Sequence, residues 1–316
     1  MRRAVRRFLP VLMTAAGVTL LVAPHGVRAD SKKEFSAGDK SYRLEFKFEP
    51  NQFVHYNVVH KMTVTTQKRQ QKRVDVNETK SRKHYRVVYV DEQGNGTLEP
   101  VIDRVQMKIR FGEDDDIFWD SQFDKNPTGP FKHVARTIGR PRARIKAARN
   151  GKPISITKLN SQSARRSSKE GQDNLENNVL VTLPDGPVKI GDRWRERFKI
   201  TVLIDGKLPL PIQMLRQYTL KSVEKNRATI SVNTSVLTPV TDPKISAQLA
   251  LQHSQSTGTI VFDLKRGMMI SREVKSDERA IGFSGPDSSL HAVSVLTEQF
   301  VSPPAVARKP DEGNVQ

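Results

Sequence analysis

The sequence predicts a mainly β protein made of two similar antiparallel modules, half-barrel or sandwich-like in form, with few short helices. Three observations support this fold class. Apolar residues recur at every second position along most of the chain, turn-forming residues separate these stretches, and one order of strands and turns occurs twice. Because alternation with period two places apolar side chains on one face of a strand, we expect long, half-buried strands.

The alternation is clear near the start of the first module, where Leu44, Phe46 and Phe48 are separated by Glu45 and Lys47. This pattern predicts a first strand of an antiparallel sheet. Further strands are predicted at 54–64, 85–90, 98–111, 142–148, 154–157, 194–204, 213–223, 228–236, 259–264, 269–275 and 291–300. Helical segments are predicted only at 131–138, 173–178 and 242–252, the last with a proline in its first turn.

Two parts of the chain are similar at an offset of about 132 residues, which places Tyr85 over Tyr218. Each copy continues into a hairpin whose basic turn ends in glycine, at Gly151 and Gly267. This predicts a duplication, although two unrelated meanders would also share alternation and turns. The predicted organisation is a signal peptide at 1–29, modules at 30–158 and 186–302, a polar linker at 159–185 and a disordered tail at 303–316.

The N-terminus has the pattern of a bacterial-type secretory signal. Four arginines precede the apolar run Phe8–Ala23, and Val27 and Ala29 provide the small residues before a cleavage site. Cleavage after Ala29 and a periplasmic or secreted location are therefore predicted. An uncleaved membrane anchor is the alternative, and Arg6-Arg7 is compatible with twin-arginine export. After cleavage no transmembrane span is expected.

Positive charge is concentrated in one stretch. The formal net charge is +19, and five of the positive charges lie in the first 29 residues, which leaves +14. Residues 131–170 contain twelve Lys and Arg and one acid, so this stretch supplies +11. Such a field attracts lipid headgroups, acidic polysaccharide or nucleic acid, whereas a merely solvated basic face is the alternative. The predicted contacts are Arg140, Arg142, Arg144, Lys146, Arg149, Arg165 and Arg166.

Residues with catalytic or ligating chemistry are scarce. There is no cysteine, which excludes thiol catalysis, zinc–thiolate sites and lipid attachment. His55 and His60 lie five apart on a predicted strand, so they face opposite sides and cannot share a metal. The other histidines are predicted to be isolated, namely His84, His133, His253 and His291.

The acidic run Glu113–Asp116 offers oxygen ligands for Ca²⁺, but its spacing fits no EF-hand loop. A solvated turn is the favoured interpretation, with the neighbouring Trp119 in the core. Neither tryptophan has the aromatic neighbours of a stacking platform, so specific nucleic-acid binding is not expected. The sequence thus predicts no catalytic residue, cofactor or metal site, and it carries no prediction of oligomeric state.

The second module begins with Pro187-Val188-x-x-Gly191-Asp192-x-Trp194, and the first with Phe48-x-Pro50-Asn51-Gln52. In these motifs the chain resembles a family of exported bacterial proteins of unknown function that share "Pro-Val-x-x-Gly-Asp-x-Trp" and "Phe-x-Pro-Gly-Gln", with Asn51 here in place of the glycine. That resemblance brings no activity with it. The long strands also resemble those of half-barrel carriers and sensors of the bacterial envelope.

In the second motif, Gly191 and Asp192 are predicted to form a turn that places Trp194 at the head of a strand, as a structural cap on the interior. The leading functional hypothesis is a non-enzymatic envelope protein that binds a lipid, a small ligand or a partner protein in an apolar β concavity. One alternative is binding of polyanions or membrane surfaces through residues 131–170. The other is a hydrolase with scattered acidic residues.

Overall fold

The computed structural model describes residues 40–159, 179–204 and 208–302. These residues form one open antiparallel sheet of twelve strands with two short α-helices, so the mainly β prediction is confirmed. No helix among them is long and apolar enough to cross a membrane. The strands are β1 (Phe53–Lys68), β2 (Gln71–Val90), β3 (Gly96–Phe111), β4 (Ile117–Asp120), β5 (Ala143–Ala147), β6 (Pro153–Lys158), β7 (Arg193–Ile204), β8 (Leu208–Glu224), β9 (Arg227–Val236), β10 (Ser256–Asp263), β11 (Met268–Ile281) and β12 (Ser288–Val301). The helices are α1 (Lys132–Ala135), which follows a 3-10 turn at Gly129–Phe131, and α2 (Pro243–Leu251).

The strand order is β6-β5-β3-β2-β1-β12-β11-β10-β9-β8-β7, with β4 paired to β3. Each half of the sequence forms one half of the sheet. The halves join where β1 pairs antiparallel with β12, from His55–Val301 to Lys68–Ser288. Both halves therefore share one continuous hydrogen-bonded sheet.

Matching backbone features occur around Val87 and Leu220, which the sequence offset pairs. The backbone N–H of Asn51 donates to the carbonyl oxygen of Val87 at 2.9 Å. The backbone N–H of Gly191 likewise donates to the carbonyl oxygen of Leu220 at 2.7 Å. Both donors have positive φ, 63° and 96°. A β-bulge follows Val87 on β2 and another follows Leu220 on β8. The two halves thus share local geometry, while their origin by duplication stays a prediction.

The sheet has one apolar and one mostly polar face. On β1, Tyr56, His60, Met62 and Val64 are buried on the apolar face, while the odd-numbered side chains point to the other face. Three parts of the chain cover the apolar face: residues 42–48 with 179–188, the segment 129–138, and α2. The C-terminal end of the predicted polar linker belongs to this covering layer, because Val181 and Leu183 are buried.

The prediction of a sheet strand at 44–48 was wrong. This segment crosses the apolar face instead, with Leu44 and Phe46 buried and its amides bound to hairpin turns: Phe46 N donates to Arg149 O, and Lys47 N donates to Gly267 O. An extended segment lying on a sheet buries every second side chain, so its pattern equals that of a strand.

Two strand regions were missed. Residues 71–84 were not predicted as strand because they are almost entirely polar, yet they belong to β2 and pair with β1 and β3 on either side. The second missed strand is β4, directly after the acidic run 113–116. That run forms a turn, which is the interpretation favoured from the sequence, and Trp119 on β4 is buried, as expected. The predicted helices at 131–138 and 242–252 are confirmed, whereas 173–178 lies outside the described residues.

Helix α2 shows that the second half of the sheet is curved. Its N-cap is Asp242, whose side chain accepts a hydrogen bond from Lys244 N at 2.7 Å. Ala247 and Ala250 pack on residues of β1, β11 and β12, while Gln248 Nε2 donates to Leu203 O of edge strand β7 at 2.8 Å. β7 lies five strand spacings from β12, about 24 Å along a flat sheet. One helix can contact both only because the strands curl around it.

We expect Gly151→Ala to destabilise the fold by about 2 kcal/mol. Gly151 has φ +81°, and a Cβ there would lie 2.2 Å from the carbonyl oxygen of Val181. Equilibrium urea unfolding measures the loss. Gly139→Ala is the matched control, because Gly139 also has positive φ but has open space around its Cβ position. Equal losses in the two variants would contradict the close packing of residues 179–188 on this turn.

Candidate functional site

A basic cavity of about 590 Å³ lies beside α1. Ten residues line it, and they include four cations and no acid. Lys132 and Arg136 are four residues apart on one turn of helix, so their side chains share a side. All four cations are exposed, so an anion could reach them from solvent. They are Lys125, Lys132, Arg136 and Arg140, termed the basic cluster below.

An exposed aromatic ring lies next to this cavity. The chain turns tightly at Phe123, whose amide donates to Asp120 O at 3.1 Å. Lys125 closes the turn, because its Nζ donates to Ser121 O at 2.6 Å. The turn leaves Phe123 80% exposed at its tip, two residues before a member of the basic cluster. Phe118 on β4 is 63% exposed in the same segment. Phe123 and Lys125 are thus close neighbours in an exposed turn, whereas Phe118 alternates with the buried Trp119 and points to the other face of the sheet.

The structure places the described residues of the predicted basic contact set in different surroundings. Arg140 lines the cavity and Arg142 is exposed beside it. Three others are paired with acids: Arg144 Nη2 lies 2.6 Å from Glu99 Oε1, Lys146 Nζ lies 2.8 Å from Asp91 Oδ2, and Arg149 pairs with Glu45. The hydrogen bond from Lys146 lowers the pKa of Asp91 below its ordinary value. Arg165 and Arg166 lie outside the described residues.

Three members of the basic cluster were not among the predicted contacts. Lys132 and Arg136 were counted in the charge excess, and their spacing of four within a predicted helix is the signal that would have paired them. Lys125 precedes the stretch by six residues, and only the fold brings it to the cavity.

The motif at the start of the second half has a structural role. Gly191 adopts φ +96°, and the Asp192 carboxylate accepts from Lys189 N at 2.8 Å, which closes the turn before β7. Trp194 then stacks on Tyr218 at 5.5 Å and donates from Nε1 to Thr182 O at 2.9 Å. Trp194 thereby ties the covering segment 179–188 to the sheet.

The prediction that the remaining histidines are isolated was wrong for His84. His55 and His84 are direct partners in the β1–β2 register, with ring centroids 5.3 Å apart. His84 Nδ1 lies 2.7 Å from Asp103 Oδ1, and His55 Nδ1 lies 3.9 Å from Asp103 Oδ2. Burial, followed by the neighbouring His84, lowers the pKa of His55. His55 and His60 do lie on opposite faces, as predicted.

His253 is not isolated either. Its ring lies 5.4 Å from that of His60, and both side chains are buried, with His253 two residues after the end of α2. Burial lowers the pKa of His60 to about 4 and that of His253 to about 3. Glu278 lies nearby on β11 and accepts hydrogen bonds from Ser254 and Gln255, yet burial raises its pKa to about 7. The described residues bury all three side chains, so a substrate cannot reach them from solvent.

A void of about 10 Å³ lies where Phe46 and residues 179–181 meet the sheet, next to Tyr56 and Glu298. This volume holds about one water molecule. An apolar ligand cavity therefore stays a prediction.

Residues 166–269 match a family of unknown function (DUF6263). No curated protein matches the sequence. Among solved structures, the chain is similar to that titled "Lipid-protein interactions in lipovitellin", with 13% identity, 83% of this chain covered and a TM-score of 0.45. It spans only 26% of that lipovitellin chain. A DUF1329 family protein from Desulfovibrio piger matches with 12% identity, 80% and 87% coverage of the two chains, and a TM-score of 0.18.

Proposed function

We propose that the protein is an exported, non-catalytic binding protein that attaches to anionic membrane surfaces through the basic cluster. The observation that supports this proposal is the cavity itself, in which four exposed cations converge without an acid among the lining residues. Elsewhere in the basic stretch, Arg144, Lys146 and Arg149 are each paired with a carboxylate of the same chain. Among the described residues of the stretch, Lys132, Arg136 and Arg140 are thus better placed than these three to bind an external anion, and Lys125 joins them at the cavity.

The exposed ring of Phe123 favours a membrane over a soluble polyanion. A polymer of acidic sugars offers charge alone, whereas a bilayer surface offers phosphate groups above an apolar layer. Phe123 is 80% exposed two residues before Lys125 of the basic cluster. Aromatic side chains bury favourably at the boundary between headgroups and acyl chains, and each nearby cation adds about 1 kcal/mol on an anionic surface.

The test is cosedimentation of the full-length chain with lipid vesicles. We expect binding to vesicles that contain phosphatidylglycerol and little binding to pure phosphatidylcholine. Raised salt should weaken the binding, because screening shortens the range of the field. Soluble heparin should compete incompletely, since it offers no apolar layer. Equal binding to both vesicle types, or binding to heparin but not to vesicles, would contradict a membrane-binding function.

A further inference from the structure

A second cluster, on the polar face of the sheet, is independent of the basic cluster. His55, His84 and Asp103 come from three neighbouring strands, β1, β2 and β3, and their potential ligand atoms all lie within 4.8 Å of one another. Two imidazoles and one carboxylate are a common protein ligand set for Zn²⁺ and related divalent metals, with water in the remaining position.

A β-bulge brings Asp103 to this position. Arg104 pairs with Arg82 and Ile102 pairs with Lys83, so Asp103 is the extra residue on β3. In a regular strand, residues 102, 103 and 104 would alternate between faces. The bulge allows Asp103 to join His84 on the polar face, and bulges commonly redirect side chains at functional sites.

One nitrogen of the cluster has no hydrogen-bond partner. His55 Nδ1 is buried, and its nearest carboxylate oxygen, Asp103 Oδ2, lies 3.9 Å away, too far for a hydrogen bond. A buried polar atom without a partner destabilises the folded protein. A metal ion between His55 and Asp103 would satisfy this nitrogen.

The spacing also suits a small metal ion. Zn–N bonds of about 2.0 Å place neighbouring ligand atoms in a tetrahedral site about 3.3 Å apart. The distance from His84 Nδ1 to Asp103 Oδ1, 2.7 Å, is shorter than this value, and the distance from His55 Nδ1 to Asp103 Oδ2, 3.9 Å, is longer. Small side-chain rotations would equalise them. His55 and Asp103 each keep 28% of their side chains exposed, which leaves an entry path, and Phe53 packs beside both histidine rings.

We propose that His55, His84 and Asp103 form a binding site for one divalent transition-metal ion of the Zn²⁺ class. This site shares no residue with the basic cluster, and metal uptake and vesicle cosedimentation are separate measurements, so either can fail without the other.

Titration calorimetry of the full-length chain with Zn²⁺ and the visible absorption of bound Co²⁺ test this site. We expect one ion per chain and the Co²⁺ spectrum of a four- or five-coordinate site with nitrogen ligands. Asp103→Asn keeps the size of the side chain and should weaken Zn²⁺ binding about tenfold or more, and His84→Ala should weaken it further. Circular dichroism verifies that each variant remains folded, and Asp103→Asn alone decides the test if His84→Ala unfolds.

The control variant is Asp277→Asn. Asp277 Oδ1 lies 2.7 Å from His291 Nε2, which reproduces one His–Asp contact of the cluster. No third His, Asp or Glu ligand completes that pair within the described ranges. Asp277→Asn should leave Zn²⁺ affinity unchanged. Failure of the unmodified chain to take up one Zn²⁺, or equal affinity of the Asp103→Asn and unmodified chains, would overturn the proposal.

Discussion

Replacement of Glu298 by Gln is expected to destabilise the protein by about 3 kcal/mol. Glu298 is 2% exposed on β12, and its carboxylate lies 2.5 Å from Lys83 Nζ and 2.8 Å from Arg272 Nη2. Burial acts to raise the pKa of Glu298, but the two cations outweigh burial and keep the pKa below its ordinary value. Gln removes the charge and leaves both cations without their counter-ion, at a cost of about 3–5 kcal/mol for a buried pair.

The lower end of that range applies because Lys83 and Arg272 keep about a fifth of their side chains exposed. Urea unfolding of Glu298→Gln measures the effect. The matched control is Glu273→Gln on β11, because Glu273 is 48% exposed beside Lys275 and should change stability by less than about 0.5 kcal/mol. A second variant, Lys83→Met with Glu298→Gln, should recover part of the loss. Similar losses for Glu298→Gln and Glu273→Gln would show that the buried ion network contributes little.

A pH-dependent loss of stability is expected from Glu278. The pKa of this carboxyl is about 7 in the folded protein against an ordinary value of 4.5. The folded state therefore binds more protons than the unfolded state between these values. The stabilisation is complete below about pH 4.5 and is lost as the pH rises through 7. The difference corresponds to about 3 kcal/mol at 1.36 kcal/mol for each pKa unit.

Glu278→Gln removes this titration, so its stability relative to the unmodified protein should rise by about 3 kcal/mol between pH 4.5 and 8. The comparison with the unmodified protein is needed because the titrations of His60 and His253 change the stability with pH in the opposite direction. Their lowered pKa values give stability that is complete above 6.5 and is lost as the pH falls through about 4 and 3. Urea unfolding across this pH range tests the prediction, with Glu273→Gln as the control. A constant difference between Glu278→Gln and the unmodified protein would contradict a protonated Glu278 in the fold.

The sequence predicts the strands of this fold better than its covering layer. Alternation identifies most strands because one face of the sheet is buried and the other is solvated. It fails for residues 71–84, where pairing on both sides holds a polar segment in the sheet. It also fails at Leu44–Phe48, because an extended segment lying on the sheet gives the same pattern as a strand within it.

The candidate sites depend on contacts that no local pattern reveals. The excess of basic residues identifies the region of the cavity, but pairing partners far away in sequence decide which cations are neutralised: Arg144 pairs with Glu99, and Lys146 with Asp91. The cluster around His55 depends on the register of β1 with β2 and on a bulge at Asp103. Register and bulges follow from packing of the whole sheet, so these side chains show no common spacing along the chain.

Vesicle binding by a charge-neutralised chain tests the central claim most directly. The variant replaces Lys125, Lys132, Arg136 and Arg140 with Gln, and its control replaces Arg193, Arg195, Arg197 and Lys199, which are exposed at alternate positions on edge strand β7. Both variants lose four positive charges, so only the location differs. At about 1 kcal/mol for each cation, the first should bind phosphatidylglycerol vesicles about a thousandfold more weakly, and the control should stay close to the unmodified chain. Equal weakening in the two variants would mean that net charge, and not the basic cluster, drives any attachment to membranes.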